Sequence, residues 1–229
     1  VSDRSRIEDR WVRLTERKRT LVAAADDEAQ RAGQRQRIHP RWVQYQVGQI
    51  LQPDTILVDD TVAWIDPDFH KRTQPGTYFK SGGSCGGFGS GAAFGAKIAA
   101  PDRDVVLTSG DGYFMFGTPM PALWCASHYK AAFLAVVFVN KSYSTGTNGL
   151  RGSYPEGVAV STGNYEGGLF DPPPNFAKLA EAANGYGETV TEPDQLAPAL
   201  RRGLEHTRNG TAALIAVDLP TLVEEQALR

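Results

Sequence analysis

Cysteine is nearly absent from this 229-residue chain, which holds only Cys85 and Cys125. Two cysteines cannot build a disulfide framework or a zinc cluster, and they suit free thiols in a reducing cytoplasm. Histidine is almost as scarce. His39, His70, His128 and His206 never pair at ligand spacing, which argues against a histidine metal site. No run of 18 apolar residues occurs, so no membrane-spanning helix is expected. An excess of basic charge is also missing: 24 Lys and Arg stand against 26 Asp and Glu, for a formal net charge of −2. Nucleic-acid binding would need a strongly basic face. The opening "VSDRSRIEDRWVRLTERKRT" is too charged for a secretory signal. The expectation is a cytoplasmic protein with neither nucleic acid nor membrane as partner.

What remains is an ordinary globular composition, 41% hydrophobic and 22% charged, long enough for one large domain with an extension. Residues 4 to about 37 are arginine-rich. Their Ile7, Trp11, Leu14, Leu21 and Val22 recur at near-helical spacing, which predicts an amphipathic helix followed by a polar segment. We read 1–39 as a helical arm or linker, 40–223 as the folded domain and 224–229 as a tail. Pro40 opens a helix, as proline does at a first helical position. From there elements alternate. "TILVDD", "DVVLTSGDG", the long apolar "AAFLAVVFVN", a short "ETV" and "AALIAVDLP" read as strands, with helical segments between them. A strand apolar throughout belongs in a sheet covered on both faces. The pattern predicts an α/β fold: a three-layer, doubly wound domain with a mostly parallel sheet. Residues 141–174 read as one long Gly-rich loop, of a length that is usually functional.

Ligands of such folds gather at the carboxyl ends of strands, and Asp60, Asp111 and Asn140 all stand where an apolar run stops. Gly110 and Gly112 flank Asp111, so backbone can approach a ligand there and aim N–H groups at an anion. A helix follows at once and adds N–H donors. An aspartate beside phosphate-directed amides is electrostatically wrong unless a cation lies between them. Mg²⁺ fits, because it takes one or two carboxylates together with phosphate oxygens. Asn140 offers a neutral amide oxygen from the next strand. The plain alternatives are an Asp-Gly turn and a capping asparagine.

"GDG", followed nearly thirty residues later by an apolar strand and "N", resembles the cofactor motif of thiamine-diphosphate-dependent enzymes. The stretch "GGFGSGAAFGAKIAAPDRDVVLTSGDGYF" is similar to the acetolactate synthase and 2-oxoacid decarboxylase group, which includes 2-hydroxyacyl-CoA lyases. The resemblance covers roughly residues 38–220. It implies a thiamine-diphosphate-binding fold with thiamine diphosphate and Mg²⁺ as cofactors. It also implies ligation of the metal by Asp111, the Asn140 side chain and the Ser142 carbonyl. Amides around Gly110, Gly112 and Tyr113 would hold diphosphate oxygens, helped by Asp60 and Thr61, and Tyr143 would line the mouth. The family places a large apolar wedge in the Gly-rich turn. Here that place reads "GGSCGGFG", with Ser84 beside it and either Cys85 or Gly86 at the wedge position.

The resemblance further implies a carboligase, decarboxylase or lyase, a lyase or transferase that makes or breaks a C–C bond beside the carbonyl of a 2-oxoacid or 2-hydroxyacyl substrate. The activating glutamate is expected on a second polypeptide carrying the pyrimidine-binding domain, in a hetero-oligomer such as a dimer of heterodimers. No acid or base on this chain is assigned to catalysis. Tyr143, Ser144, Thr147, Asn148 and Arg151 are possible substrate contacts, Arg151 because a guanidinium suits a carboxylate or phosphate. Two rivals stand beside this reading. One is a regulatory or scaffolding subunit that kept the fold. The other is a dinucleotide-binding oxidoreductase, from Gly87, Gly89 and Ala92 in G-x-G-x-x-A, although no good strand precedes that motif.

Overall fold

The computed structural model describes residues 3–61, 67–81 and 85–221. Chain order runs α1 (Arg4–Gly33), α2 (Pro40–Ile50), β1 (Ile56–Asp60), α3 (Pro67–His70), β2 (Tyr78–Lys80) and α4 (Gly89–Ala99). It continues through β3 (Val105–Gly110), α5 (Asp111–Phe116), α6 (Pro119–His128) and β4 (Leu134–Val139). Then come α7 (Ser144–Ser153), α8 (Val158–Thr162), α9 (Phe176–Ala182), β5 (Tyr186–Val190), α10 (Leu196–Arg208) and β6 (Ala213–Asp218).

The strands among the described residues form one six-stranded sheet, ordered β2-β1-β3-β4-β6-β5 and parallel at every pairing. Central β4, Leu-Ala-Val-Val-Phe-Val, is buried at every position. Each of its larger side chains contributes about 1.5–3 kcal/mol through burial. One face packs against α2 and α10, the other against α4, α6 and α9. Helix α10 buries Leu196, Ala199, Leu200, Gly203, Leu204 and Thr207, a single stripe at helical spacing. Caps set several helix starts: Pro40 is at the first position of α2, and the Asn175 side chain accepts from the Lys178 N–H at α9. Helix α1 buries Ala25, Ala29 and Ala32 near its end, while Ile7, Trp11, Leu14 and Leu21 lie exposed along its first five turns.

Two sequence expectations need correction. The stretch around "TYFK", a poor strand by composition, does enter the sheet: Tyr78–Lys80 pairs with Leu57–Asp59 as the edge strand. Its side chains are exposed, so neither alternation nor burial announces it. Residues 141–174 are not one loop, since α7 and α8 lie inside them. Gly146, Gly149 and Gly152 lower the helix propensity of α7, and a tertiary anchor, buried Thr147, offsets that loss.

The sheet order reverses direction between β1 and β3, since β2 lies outward on one side and the later strands on the other. Such a switch point opens a crevice at the strands' carboxyl ends. Asp60, Gly110 and Val139 end β1, β3 and β4 on that same edge.

A candidate cation and diphosphate site

At that edge a cavity of about 270 Å³ is lined by Thr61, Gly110, Asp111, Gly112, Tyr113 and Asn140 on one side, with Ser142, Tyr143, Ser144, Thr145 and Gly146 completing it. Asp111 is 1% exposed. Its carboxylate accepts the Gly112 N–H at 2.8 Å and the Lys141 N–H at 2.6 Å. Burial nevertheless lifts its pKa to about 7, because those N–H groups offset only part of the lost hydration. A cation beside it would favour the charged form.

Asn140 and Ser142 flank Lys141 and line the same cavity. The Asn140 Oδ1 accepts from the Ser142 N–H and hydroxyl, both at 3.1 Å, and its Nδ2 donates to the Ser144 Oγ. Turning the Ser142 hydroxyl away would free an Oδ1 lone pair for a metal. Neighbouring segments stitch the turn in place. Ser142 bridges Leu169, the Tyr143 N–H donates to the Gly168 carbonyl, and the Phe170 N–H donates to the Lys141 carbonyl. One carboxylate, one amide oxygen and nearby carbonyls make a hard-oxygen donor set, which suits Mg²⁺ with phosphate completing its shell. It is not a His/Cys/Asp/Glu cluster, and none of three or more such residues occurs among the described residues. A Cβ added at Gly110 would meet open space, leaving room for a ligand over the backbone. The N-termini of α5 and α7 both open onto this cavity and favour negative charge there.

The other anticipated residues fall in different places. Thr61 lines the cavity; Asp60 is not among its lining residues and accepts the Gly87 and Gly89 N–H groups at 3.0–3.2 Å, pinning the Gly-rich turn. Gly112 is spaced for Tyr143, whose ring would stand 2.7 Å from a Cβ at that position. Tyr143 packs edge-on against Phe170. Gly86 has the same relation to Tyr113, whose ring atoms lie 2.3–2.5 Å from where a Cβ would be. Cys85 is exposed, and Ser84 lies outside the described residues. Arg151 sits in the last turn of α7, away from the cavity lining, and Thr147 is buried with its hydroxyl on the Ser144 carbonyl. Sequence reasoning missed Thr145 and Gly146 in the lining, and it missed Lys141, Asp218 and Asp59. Buried Asp59 accepts from the Thr61 N–H, the Thr61 hydroxyl, the Tyr78 hydroxyl and Lys80. No local pattern marks any of these.

The family model for the C-terminal, thiamine-pyrophosphate-binding domain of thiamine pyrophosphate enzymes matches residues 62–217. The chain belongs to this family. It is 30% identical over 174 residues to an acetolactate synthase large subunit of Mycobacterium tuberculosis, covering 72% of this chain and 29% of that one. It is 32% identical over 111 residues to benzoylformate decarboxylase of Pseudomonas aeruginosa, covering 42% of this chain and 21% of the other. Among solved structures it resembles a thiamine diphosphate-dependent 4-hydroxybenzoylformate decarboxylase of Rhodococcus jostii. The TM-score there is 0.66 at 26% identity, with 82% of this chain and 33% of that one covered. This thiamine-pyrophosphate-binding chain thus spans about a third of the length of such relatives or less. The parallel α/β sheet is the family's fold. The dinucleotide-binding alternative gives way to the family match, and the Gly87 and Gly89 N–H groups donate to Asp60.

Proposed function

We propose that this chain is the diphosphate-binding part of a thiamine-diphosphate-dependent carboligase, decarboxylase or lyase that makes or breaks a C–C bond beside a carbonyl. The observation carrying this reading is the buried Asp111 carboxylate lining one cavity with Asn140 and Ser142, at the start of α5 and near the start of α7. Asp111, the Asn140 Oδ1 and the Ser142 carbonyl would hold Mg²⁺. Amides of Gly112 and Tyr113, with those opening α7, would hold the diphosphate. Bound there, thiamine diphosphate supplies the electron sink for bond cleavage or formation, and the protein supplies orientation and electrostatics. Tyr143 and Ser144, both lining the cavity, would close its mouth, and residues 1–39 would serve as an arm leading into the domain.

The pyrimidine-binding half, with its activating glutamate, would come from another polypeptide. The reading is supported by the kinship to acetolactate synthase and benzoylformate decarboxylase, both in the C–C bond class by name. Native mass spectrometry of the chain purified from its host with Mg²⁺ present tests it. The expected result is a complex with a second polypeptide, with one thiamine diphosphate and one Mg²⁺ per pair. A bare chain or homodimer that takes up no added thiamine diphosphate overturns it.

A further inference from the structure

Lys141 follows Asn140 directly and has a left-handed backbone, φ +62°. That conformation costs a side-chain-bearing residue about 1 kcal/mol or more, and glycine is the usual occupant. A lysine persists there only if something holds it. Three contacts do. Its N–H donates to the Asp111 Oδ2 at 2.6 Å, and its carbonyl accepts from the Phe170 N–H at 2.8 Å. Its Nζ lies 2.7 Å from the Asp218 Oδ1. Asp218 closes β6, and its other oxygen takes the Arg37 guanidinium at 2.8 Å, from the segment joining α1 to α2. In the sheet Asp218 is registered with Val139, two residues before Lys141. The pair thus spans neighbouring strand ends without distorting either.

We propose that Asp218, through Lys141 and supported by Arg37, is a positioning device for the cation site. It holds the turn 140–142 so that the Lys141 N–H, the Asn140 Oδ1 and the Ser142 carbonyl face Asp111. Asp218, Lys141 and Arg37 are not among the lining residues of the cavity, so they act on cation affinity only through the turn. The side chains of Lys141 and Asp218 are 24% and 20% exposed, so the pair is screened less than a surface one. Without the Asp218 anchor, only the two backbone contacts remain to offset the cost of the left-handed lysine, and the turn can relax toward an extended backbone. That relaxation removes the Lys141 N–H from Asp111 and rotates the Ser142 carbonyl. The device rests on the cation-site reading above, but its geometry can be tested without any ligand.

The experiment uses the full chain and the variants Asp218→Asn, Lys141→Met and the double variant. Amide hydrogen exchange at Lys141, Ser142 and Tyr143 is followed without ligand. Mg²⁺ is then titrated by calorimetry in saturating thiamine diphosphate. We expect at least tenfold faster exchange at these three amides in each single variant, with β3 and β4 amides unchanged. Mg²⁺ affinity should fall about 10-fold, the scale seen when an outer partner of a metal ligand is removed. The double variant should be no worse than either single one, because both break the same link. A loss of thermal stability with unchanged exchange at 141–143 and unchanged Mg²⁺ affinity would make the ion pair a mere tie, and would overturn the proposal. Wild-type chain that takes up no Mg²⁺ with thiamine diphosphate would overturn the functional reading instead, while the exchange data would still decide the turn. Should Asp218→Asn fail to fold, Lys141→Met attacks the same link from its exposed end.

Discussion

Asp60 ends β1 and Asp111 directly follows the neighbouring β3; both are buried, and burial raises both carboxyl pKa values. Their roles are nonetheless different. Asp60 meets two backbone N–H groups of the Gly-rich turn and is not among the residues lining the cavity. Asp111 meets N–H groups too, but it lines the cavity. A raised carboxyl pKa at a strand end therefore does not by itself mark the ligand-binding residue. The deciding feature is whether open space adjoins the carboxylate.

Substitutions should separate the two most sharply. Asp111→Asn is expected to weaken Mg²⁺ binding in saturating thiamine diphosphate by about 100-fold or more, the upper end of what even indirect partners cost, with little loss of fold; calorimetric titration reads this directly. Asp60→Asn should do the reverse. It places an amide against N–H donors and costs about 1–3 kcal/mol of stability, with Mg²⁺ affinity within about threefold of wild type. Urea unfolding beside the same titration distinguishes these outcomes, and equal losses of affinity would erase the contrast.

pH supplies a smaller effect. Both carboxyls hold protons more tightly folded than unfolded, so above the ordinary value near 3.8 the native state binds more protons, for Asp111 up to about 7. Stability of the ligand-free chain should then be greatest at the acid end of that window and fall as pH rises to about 7. Mg²⁺ with thiamine diphosphate should flatten the part due to Asp111 and leave the part due to Asp60. Melting temperatures from pH 5 to 8, with and without both ligands, test the sign; a rise in stability toward pH 7 without ligand would contradict it. The smallest effect on the cation is expected at Arg151. Arg151→Ala, outside the cavity lining, should leave Mg²⁺ affinity within about twofold of wild type in the same titration, within the scatter of substitutions that touch no ligand.

Much of this architecture was legible in the amino acids, for physical reasons. A strand buried on both faces must be apolar throughout, which "LAVVFV" is, and Asp111 between glycines at a strand end has few purely structural uses. The three-residue β2 was illegible because backbone pairing alone makes it a strand. Helix α7 was hidden by its glycines. The different fates of Asp59 and Asp60 depend on which side of β1 meets the cavity, and adjacent identical residues cannot announce that. The Lys141–Asp218 pair joins positions far apart in the chain, and only the sheet order makes them neighbours.

The contact of Tyr113 with Gly86 bears on how such a chain could diverge. A Cβ at 86 and an aromatic ring at 113 claim the same volume, so the two positions cannot both be large. A lineage that enlarges residue 86 must first shrink residue 113, because the opposite order passes through an overpacked intermediate costing about 1–3 kcal/mol. The pair therefore gives a direction to history: relatives should divide into those with bulk at one position and those with bulk at the other, and any intermediates should be small at both.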